Sequence, residues 1–474
     1  MATCLNHRVI TNSADEASLN ECKRLYGEYH YDILALYSEL GEQYRFISEY
    51  KKAVYYKELA LNNSEHLYGD NHAYTAFKLQ SLADMYVISA DYEKADLFYR
   101  RALKIREKLL SPNDPLIADT LRSIGILYTI TSQYSKAEDT FRRVNSIITD
   151  LLGPDHRLTT ICMNDLALLY LSIGNYIDAE IMLQKILKTN NQWQQEKDIF
   201  RNNLALLYVK NKKYVEAEKE FKKINTIMKT SNNMQNNDIN TIKIRNNYSE
   251  YLIQTGHLLA AEALLNNNIK AINSSLKNSH PEFAVGLIKL ARILIVNGQL
   301  DKASRYLNRA LFIAIISKSQ SIEKDALLAY SMLAEKSNNV HASIFFAKIA
   351  ININQSMRKE VSVLGKDKLW NFDKTIEEHY TRLANLLIGQ GRLAESQQIL
   401  AIFKEEELFE FIRRDARSSG VLSTQASFIS MELPWETEYL KFKNVRKYKS
   451  GDMFEVDNIL NKIISEINKE SFVF

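Results

Sequence analysis

The chain has 474 residues, with 61 Lys and Arg against 57 Asp and Glu for a formal net charge of +4. So even a balance lacks the strong basic field that nucleic-acid and membrane-surface binding use, and neither partner is expected. Gly (14) and Pro (5) are far below ordinary usage, which predicts a chain that is helical almost throughout.

Residues 1–24 precede the first recurring pattern and read as an N-terminal segment. They lack the basic-then-apolar order of a signal peptide, and no apolar run in the chain approaches the roughly 20 residues a bilayer span needs. The three cysteines, Cys4, Cys22 and Cys162, are too few and too scattered for a disulfide framework or a metal knuckle. They read as small apolar residues, and the expected location is the cytoplasm.

A word then recurs. "LYGEYH" ends at His30, "LYGDNH" at His72, "LLSPND" at Asp114 and "LLGPDH" at His156, each 42 residues after the last. A fixed period means repeats. Aligned on it are "LGEQYRFISEYKKAVYYKELAL", "LADMYVISADYEKADLFYRRAL", "IGILYTITSQYSKAEDTFRRVN" and "LALLYLSIGNYIDAEIMLQKIL", with Tyr50, Tyr92, Tyr134 and Tyr176 in one row and Ala53, Ala95, Ala137 and Ala179 in another. Leu82, Ala83 and Tyr86 share one face of a first helix, and Ala95, Tyr99 and Ala102 one face of a second. The small residues let the two axes approach, and Tyr92 fills the wedge at the turn. Gly174, Gly256, Gly298 and Gly391 stand at that turn, where a left-handed residue is cheapest without a Cβ. The connector histidines follow a helix stop and precede a helix start, so they read as punctuation. Residues one repeat apart stand roughly 10 Å from each other, whereas ligands of one metal must converge to about 2 Å from it.

This pattern resembles the tetratricopeptide repeat, and the 42-residue form with its "LG-x-x-H" connector is similar to the repeats of kinesin light chains and their bacterial relatives. The resemblance continues through "LALLYVKNKKYVEAEKEF", "YSEYLIQTGHLLAAEALL", "LARILIVNGQLDKASRYLNRAL" and "LANLLIGQGRLAESQQIL", with a worn copy at Leu333 to Ala350. It implies an all-α solenoid of about nine helical hairpins wound as a right-handed superhelix over residues 25–400. A helical C-terminal extension, 401–474, follows. Each hairpin shields its neighbour's apolar face, which gives a continuous core and a concave side.

The stretches "IFFAKIAIN", "YTRLANLLIGQGRLAESQQIL" and "KEEELFEFIRRD" resemble the region before the caspase-like domain of bacterial tetratricopeptide–CHAT proteins, including Glu410, Phe411, Arg413, Arg414 and Asp415. In that family the array senses a partner and a His/Cys protease domain does the cutting. No cysteine follows Cys162 here, and a caspase-type site needs a nucleophilic Cys beside a His. No protease activity, cofactor or metal site is therefore expected of this chain.

First helices carry amides or cations just before their core leucine: Arg122, Asn164, Asn202, Asn203, Asn246 and Asn247. Asn both donates and accepts, so such a row can hold the backbone of an extended peptide of any sequence. "KFKNVRKYK" (Lys441 to Lys449) reads as a solvated linker, and the acids Glu405 to Glu407 as the wet face of a helix whose Phe409 and Phe411 pack. The expectation is a non-catalytic scaffold that binds a protein or peptide on its concave side. The alternative is the sensing half of a CHAT-type protease system whose protease lies on another chain or has been lost.

Overall fold

The computed structural model describes residues 16–47, 49–89, 91–188, 194–230, 239–275, 280–412 and 425–444. Among them every regular element is an α-helix, and there are twenty. Helix α1 (Glu16–Tyr26) comes first, nine helical hairpins follow, and α20 (Leu433–Asn444) comes last. The chain forms two compact units, one of residues 1–128, 137–162 and 273–280, the other of 129–136, 163–272 and 281–474.

The first unit holds the hairpins α2 (Tyr31–Phe46) with α3 (Tyr50–Tyr68) and α4 (Ala73–Ile88) with α5 (Tyr92–Leu109). It also takes most of α6 (Pro115–Ile130) and α7 (Tyr134–Leu152) and the start of α8 (Arg157–Ser172). The 42-residue period appears here as sockets and knobs. Gly41, Ala83 and Gly125 stand in one row, and Lys57, Tyr99 and Phe141 in the row opposite. A Cβ at Gly125 would come within 2.7 Å of the Phe141 ring, and one at Gly41 within 2.9 Å of the Lys57 stem. The smallest residues thus stand where a side chain on the second helix crosses the first helix's backbone. Tyr99, at the matching position of the next row, donates its hydroxyl to Asp84 beside Ala83 at 2.6 Å.

The connector residues cap helices. Nδ1 of His30, His72 and His156 accepts from the backbone N–H two residues on, at 3.3, 3.1 and 3.2 Å, and Asp114 does the same through Oδ1 at 2.8 Å. Each satisfies one of the N–H groups that a helix start leaves without an intrahelical partner. His30 and His72 also stack on Tyr26 and Tyr68 at 14° between planes, which ties the cap to the preceding helix. Replacing His72 by Ala is expected to cost about 1 kcal/mol of unfolding free energy and His72→Asp close to nothing, since aspartate already performs the role one repeat later. Urea denaturation of the two variants measures the difference.

The second unit carries the rest of α8, α9 (Tyr176–Lys188), α10 (Gln194–Lys210), α11 (Tyr214–Thr230), α12 (Ile239–Gln254) and most of α13 (Leu258–Ser275). It continues with α14 (Pro281–Val296), α15 (Leu300–Ile316), α16 (Gln320–Lys336), α17 (Val340–Ser362), α18 (Lys366–Gly389), α19 (Leu393–Ile412) and α20. First helices α10, α12, α14 and α16 pack side by side along its inner face. The turn glycines adopt the expected left-handed backbone, with φ of 74°, 81°, 74° and 72° at Gly174, Gly256, Gly298 and Gly391. Unit 2 also folds back on itself, because Tyr170 and Gly174 meet the long helix α18. Lys368 Nζ lies 5.2 Å from the centre of the Tyr170 ring.

Three expectations need correction or placement. Cys162 is buried and free, but Cys22 is disulfide-bonded, so the reading of all three cysteines as plain apolar residues fails there. Within "KFKNVRKYK", Lys441 to Asn444 continue α20 instead of forming a linker. Phe442 is fully buried and Lys443 pairs with Glu323 at 2.8 Å, because an aromatic on the packed face outweighs the cations around it. Val445 to Lys449, and the side chains of Glu405 to Phe411, lie outside the described residues.

Candidate functional site

Four of the five asparagines singled out from the sequence are buried: Asn164, Asn202, Asn203 and Asn246. Asn247 is half-buried. The structure joins them into a ladder across first helices. Asn203 donates to Asn164 Oδ1 at 2.8 Å and Asn247 to Asn202 Oδ1 at 3.3 Å. Asn246 donates to the Glu282 carbonyl at 3.0 Å and accepts from Asn268 at 2.8 Å. These amides are spent on holding α8, α10, α12 and α14 in register. Arg122 lies in the first unit on α6 and is half-buried.

Beside the ladder, first helices of unit 2 bring charged side chains together. Lys210 ends α10, Glu250 is on α12, Lys289 and Arg292 on α14, Lys324 and Asp325 on α16, and His379 and Arg382 on α18. Lys289 Nζ sits 3.2 Å from Glu250 and donates to the Asn246 carbonyl at 2.6 Å. Burial by itself pushes the Glu250 carboxyl up, yet Lys289, Lys210 and Arg292 overcome it and hold that group far below the ordinary carboxylate range. Burial likewise raises Asp325, and Lys324, Arg292 and Lys210 reverse it, so Asp325 stays ionised. For His379 burial dominates and the cations Lys324 and Arg292 add to it, pushing the imidazole down to about 4. It is neutral at physiological pH, with its Nδ1 3.2 Å from the Asn354 amide nitrogen.

The Asp325 side chain keeps 45% of its surface accessible, and its carboxylate lies 3.4 Å from Lys324 Nζ. Arg382 lines a cleft of about 840 Å³ together with Lys212, Glu335, Lys374 and Glu377. Arg382 pairs with Glu335 and donates to Ser331 at 3.0 Å. Among the described residues no group of three or more His, Cys, Asp or Glu could hold a metal ion, and no helix is long and apolar enough to cross a membrane.

The sequence reading missed this charged cluster. A signal for it stands in "FAVGLIKLARILIV" (Phe283 to Val296), an otherwise apolar helix interrupted by two cations. Lys289 and Arg292, one turn apart on it, belong to its inward stripe and not to its wet one.

Residues 32–108 and 116–192 match the family model of the tetratricopeptide repeat. No curated protein matches the chain. Among solved structures, BtubC (BKLC) from P. vanneervenii is similar at 20% identity over 48% of this chain and 93% of that one, with a TM-score of 0.40. Nearly identical TPR-like repeats from Podosopora anserina share 20% identity over 42% of this chain and 97% of theirs, at 0.36. Rap protein complexed with Competence and Sporulation Factor shares 13% identity over 77% of this chain and 99% of its own, at 0.48.

Proposed function

From a chain that carries tetratricopeptide repeats, we propose a non-catalytic scaffold that captures a protein segment on the inner face of its first helices. Arrays of this repeat are protein-interaction scaffolds as a class, built to offer an extended surface. The observation that supports the reading is the charged inner face of unit 2, where five first helices place ionised groups that a purely structural core would replace by apolar ones. Ionised groups kept inside a fold cost free energy unless something answers them.

The test is capture of protein partners on the immobilised chain, compared between wild type and Lys212→Glu/Lys374→Glu at the open cleft. A protein held by wild type is expected to be lost from the double variant, because like charge now faces its segment. If every captured protein stays on the variant, the inner face is not the docking surface.

A second reading makes the chain the sensing half of a caspase-like system whose protease is a separate protein. Its support is the resemblance carried by "IFFAKIAIN" and "YTRLANLLIGQGRLAESQQIL", which fall on α17, α18 and α19. A neighbouring reading frame with a caspase-like His and Cys would favour it, and an unrelated neighbour would count against it.

A further inference from the structure

We infer that the cleft beside α18 takes an extended stretch of the captured protein in which an acidic and a basic side chain stand two residues apart and an apolar one follows. The inference rests on the scaffold reading and names the chemistry of its partner. Lys374, Glu378, Arg382 and Leu386 line the cleft one helical turn apart on α18, and Gly389 ends the stripe. From Lys374 to Gly389 the helix rises about 22 Å at about 1.5 Å per residue, which about seven extended residues match. The cleft volume of about 840 Å³ spread over that length leaves about 40 Å² of cross-section, about half of what a helix about 10 Å in diameter fills. An extended chain fits instead. Its alternate side chains, about 6.7 Å apart, keep step with α18 residues about 6 Å apart.

Charge sets the order of the side chains. The ionisable groups lining the cleft are Lys212, Lys374 and Arg382 against Glu335, Glu377 and Glu378. Arg382 and Glu335 neutralise each other. Lys212, Glu377 and Glu378 have no ion-pair partner among the described residues, and Lys374 has only the Trp370 ring, whose centre lies 4.6 Å from its Nζ. Along the stripe the open charges run from a cation at Lys374 to acids one turn on, past the neutral Arg382–Glu335 pair, to the apolar Leu386 and Val340. The complementary segment carries an acid, a base two residues on and an apolar side chain four residues beyond that. Lys212 supplies the second observation. It holds a left-handed backbone, φ 58°, at the turn where the hairpins on either side place Gly174 and Gly256. A residue with a side chain is less stable there than glycine. Ser132, Lys318 and Asn338 share the conformation, but of these only Lys212 lines the cleft, so its cation is kept against local preference where an acid of the segment would meet it.

Fluorescence polarisation of the full chain with labelled, end-capped peptides tests this. Glu-Ser-Lys-Ser-Ser-Ser-Leu and its reverse have the complementary order, and Lys-Ser-Glu-Ser-Ser-Ser-Leu and its reverse have the same composition in the wrong one. Wild type is expected to bind a peptide of the first pair about tenfold tighter than either of the second. The exchange Lys374→Glu/Glu377→Gln/Glu378→Lys should invert that preference, a gain that misfolding cannot imitate. Lys212→Gly should weaken binding about two- to fivefold while raising the urea midpoint of unfolding. No binding, equal binding of both orders, a preference that the exchange leaves unchanged, or full affinity in Lys212→Gly would overturn the inference. So would a dimer in sedimentation that Lys374→Glu dissolves, since a second copy would then be the occupant. If proteins are captured and lost from Lys212→Glu/Lys374→Glu while both peptide orders bind equally, the scaffold reading stands and this one falls.

Discussion

Alanine at Gly174 is expected to lower the unfolding free energy by about 2–4 kcal/mol, against about 1 kcal/mol for alanine at Gly256. Both glycines have left-handed backbones, φ 74° and 81°, so both substitutions carry the same conformational penalty. They differ in what a Cβ would meet. At Gly256 nothing lies within 4 Å, whereas at Gly174 the methyl would stand 2.5 Å from Thr375 Cγ2 and 2.9 Å from the Asn371 carbonyl oxygen. A flexible side chain could turn aside, but a helix carbonyl cannot move alone, so α18 must shift. Denaturant titration of both variants isolates that contact. Equal losses would mean that α18 does not rest against the turn between α8 and α9.

The next large effect is expected at Glu432, where Gln should cost about 2–4 kcal/mol, somewhat below the usual cost of breaking a buried ion pair because Glu395 remains. Glu432 is 1% exposed and accepts from Lys348 at 2.7 Å, Arg392 at 2.8 Å and the Ile429 N–H at 3.1 Å. Lys348, equally buried, also donates to Glu395 at 2.7 Å and to the Ser427 carbonyl at 2.8 Å. Asn352 grips the Ala426 backbone from both sides, donating to its carbonyl at 3.3 Å and accepting from its N–H at 2.7 Å. These bonds place Trp435 edge-on to Phe345 at 5.6 Å and bring Tyr439 to Glu323 at 2.7 Å. Each large apolar side chain so covered contributes about 1.5–3 kcal/mol. Hydrogen exchange across residues 425–444 should quicken in Glu432→Gln while the first unit keeps its protection. Unchanged exchange there would show that the polar network does not hold α20.

The same network sets a pH limit. Burial raises the Glu395 carboxyl, but Arg392 and Lys348 more than offset it, so its folded-state value lies below the ordinary 4.5. A depressed carboxylate contributes stability that is complete above its unfolded value and fades as pH falls through the folded one. Asp325 and Glu250 behave in the same sense. Stability of unit 2 is therefore expected to decline below about pH 4.5, which urea denaturation at a series of pH values measures.

Much of this was legible because a repeat writes the same local rule many times. The 42-residue step revealed the hairpins, Ala83 and Ala95 marked where their axes come close, and the helix stop and start around His30, His72, Asp114 and His156 marked that connector as punctuation. The asparagines were visible too, but their partners were not. Asn203 meets Asn164 across 39 residues and Asn247 meets Asn202 across 45, distances at which no local pattern says which amide faces which.

From the order of residues alone came the all-helical class, the nine hairpins, the turn glycines and the helix caps, since each depends on contacts within one repeat or between neighbours. Only the tertiary structure decided that α18 returns to the turn at Gly174, that α20 is fastened across α17 and α19, and that Lys289 on α14 pairs with Glu250 on α12. The reason is physical. Helix geometry repeats over a few residues, whereas the small rotation between successive hairpins accumulates, and that sum determines which distant side chains meet.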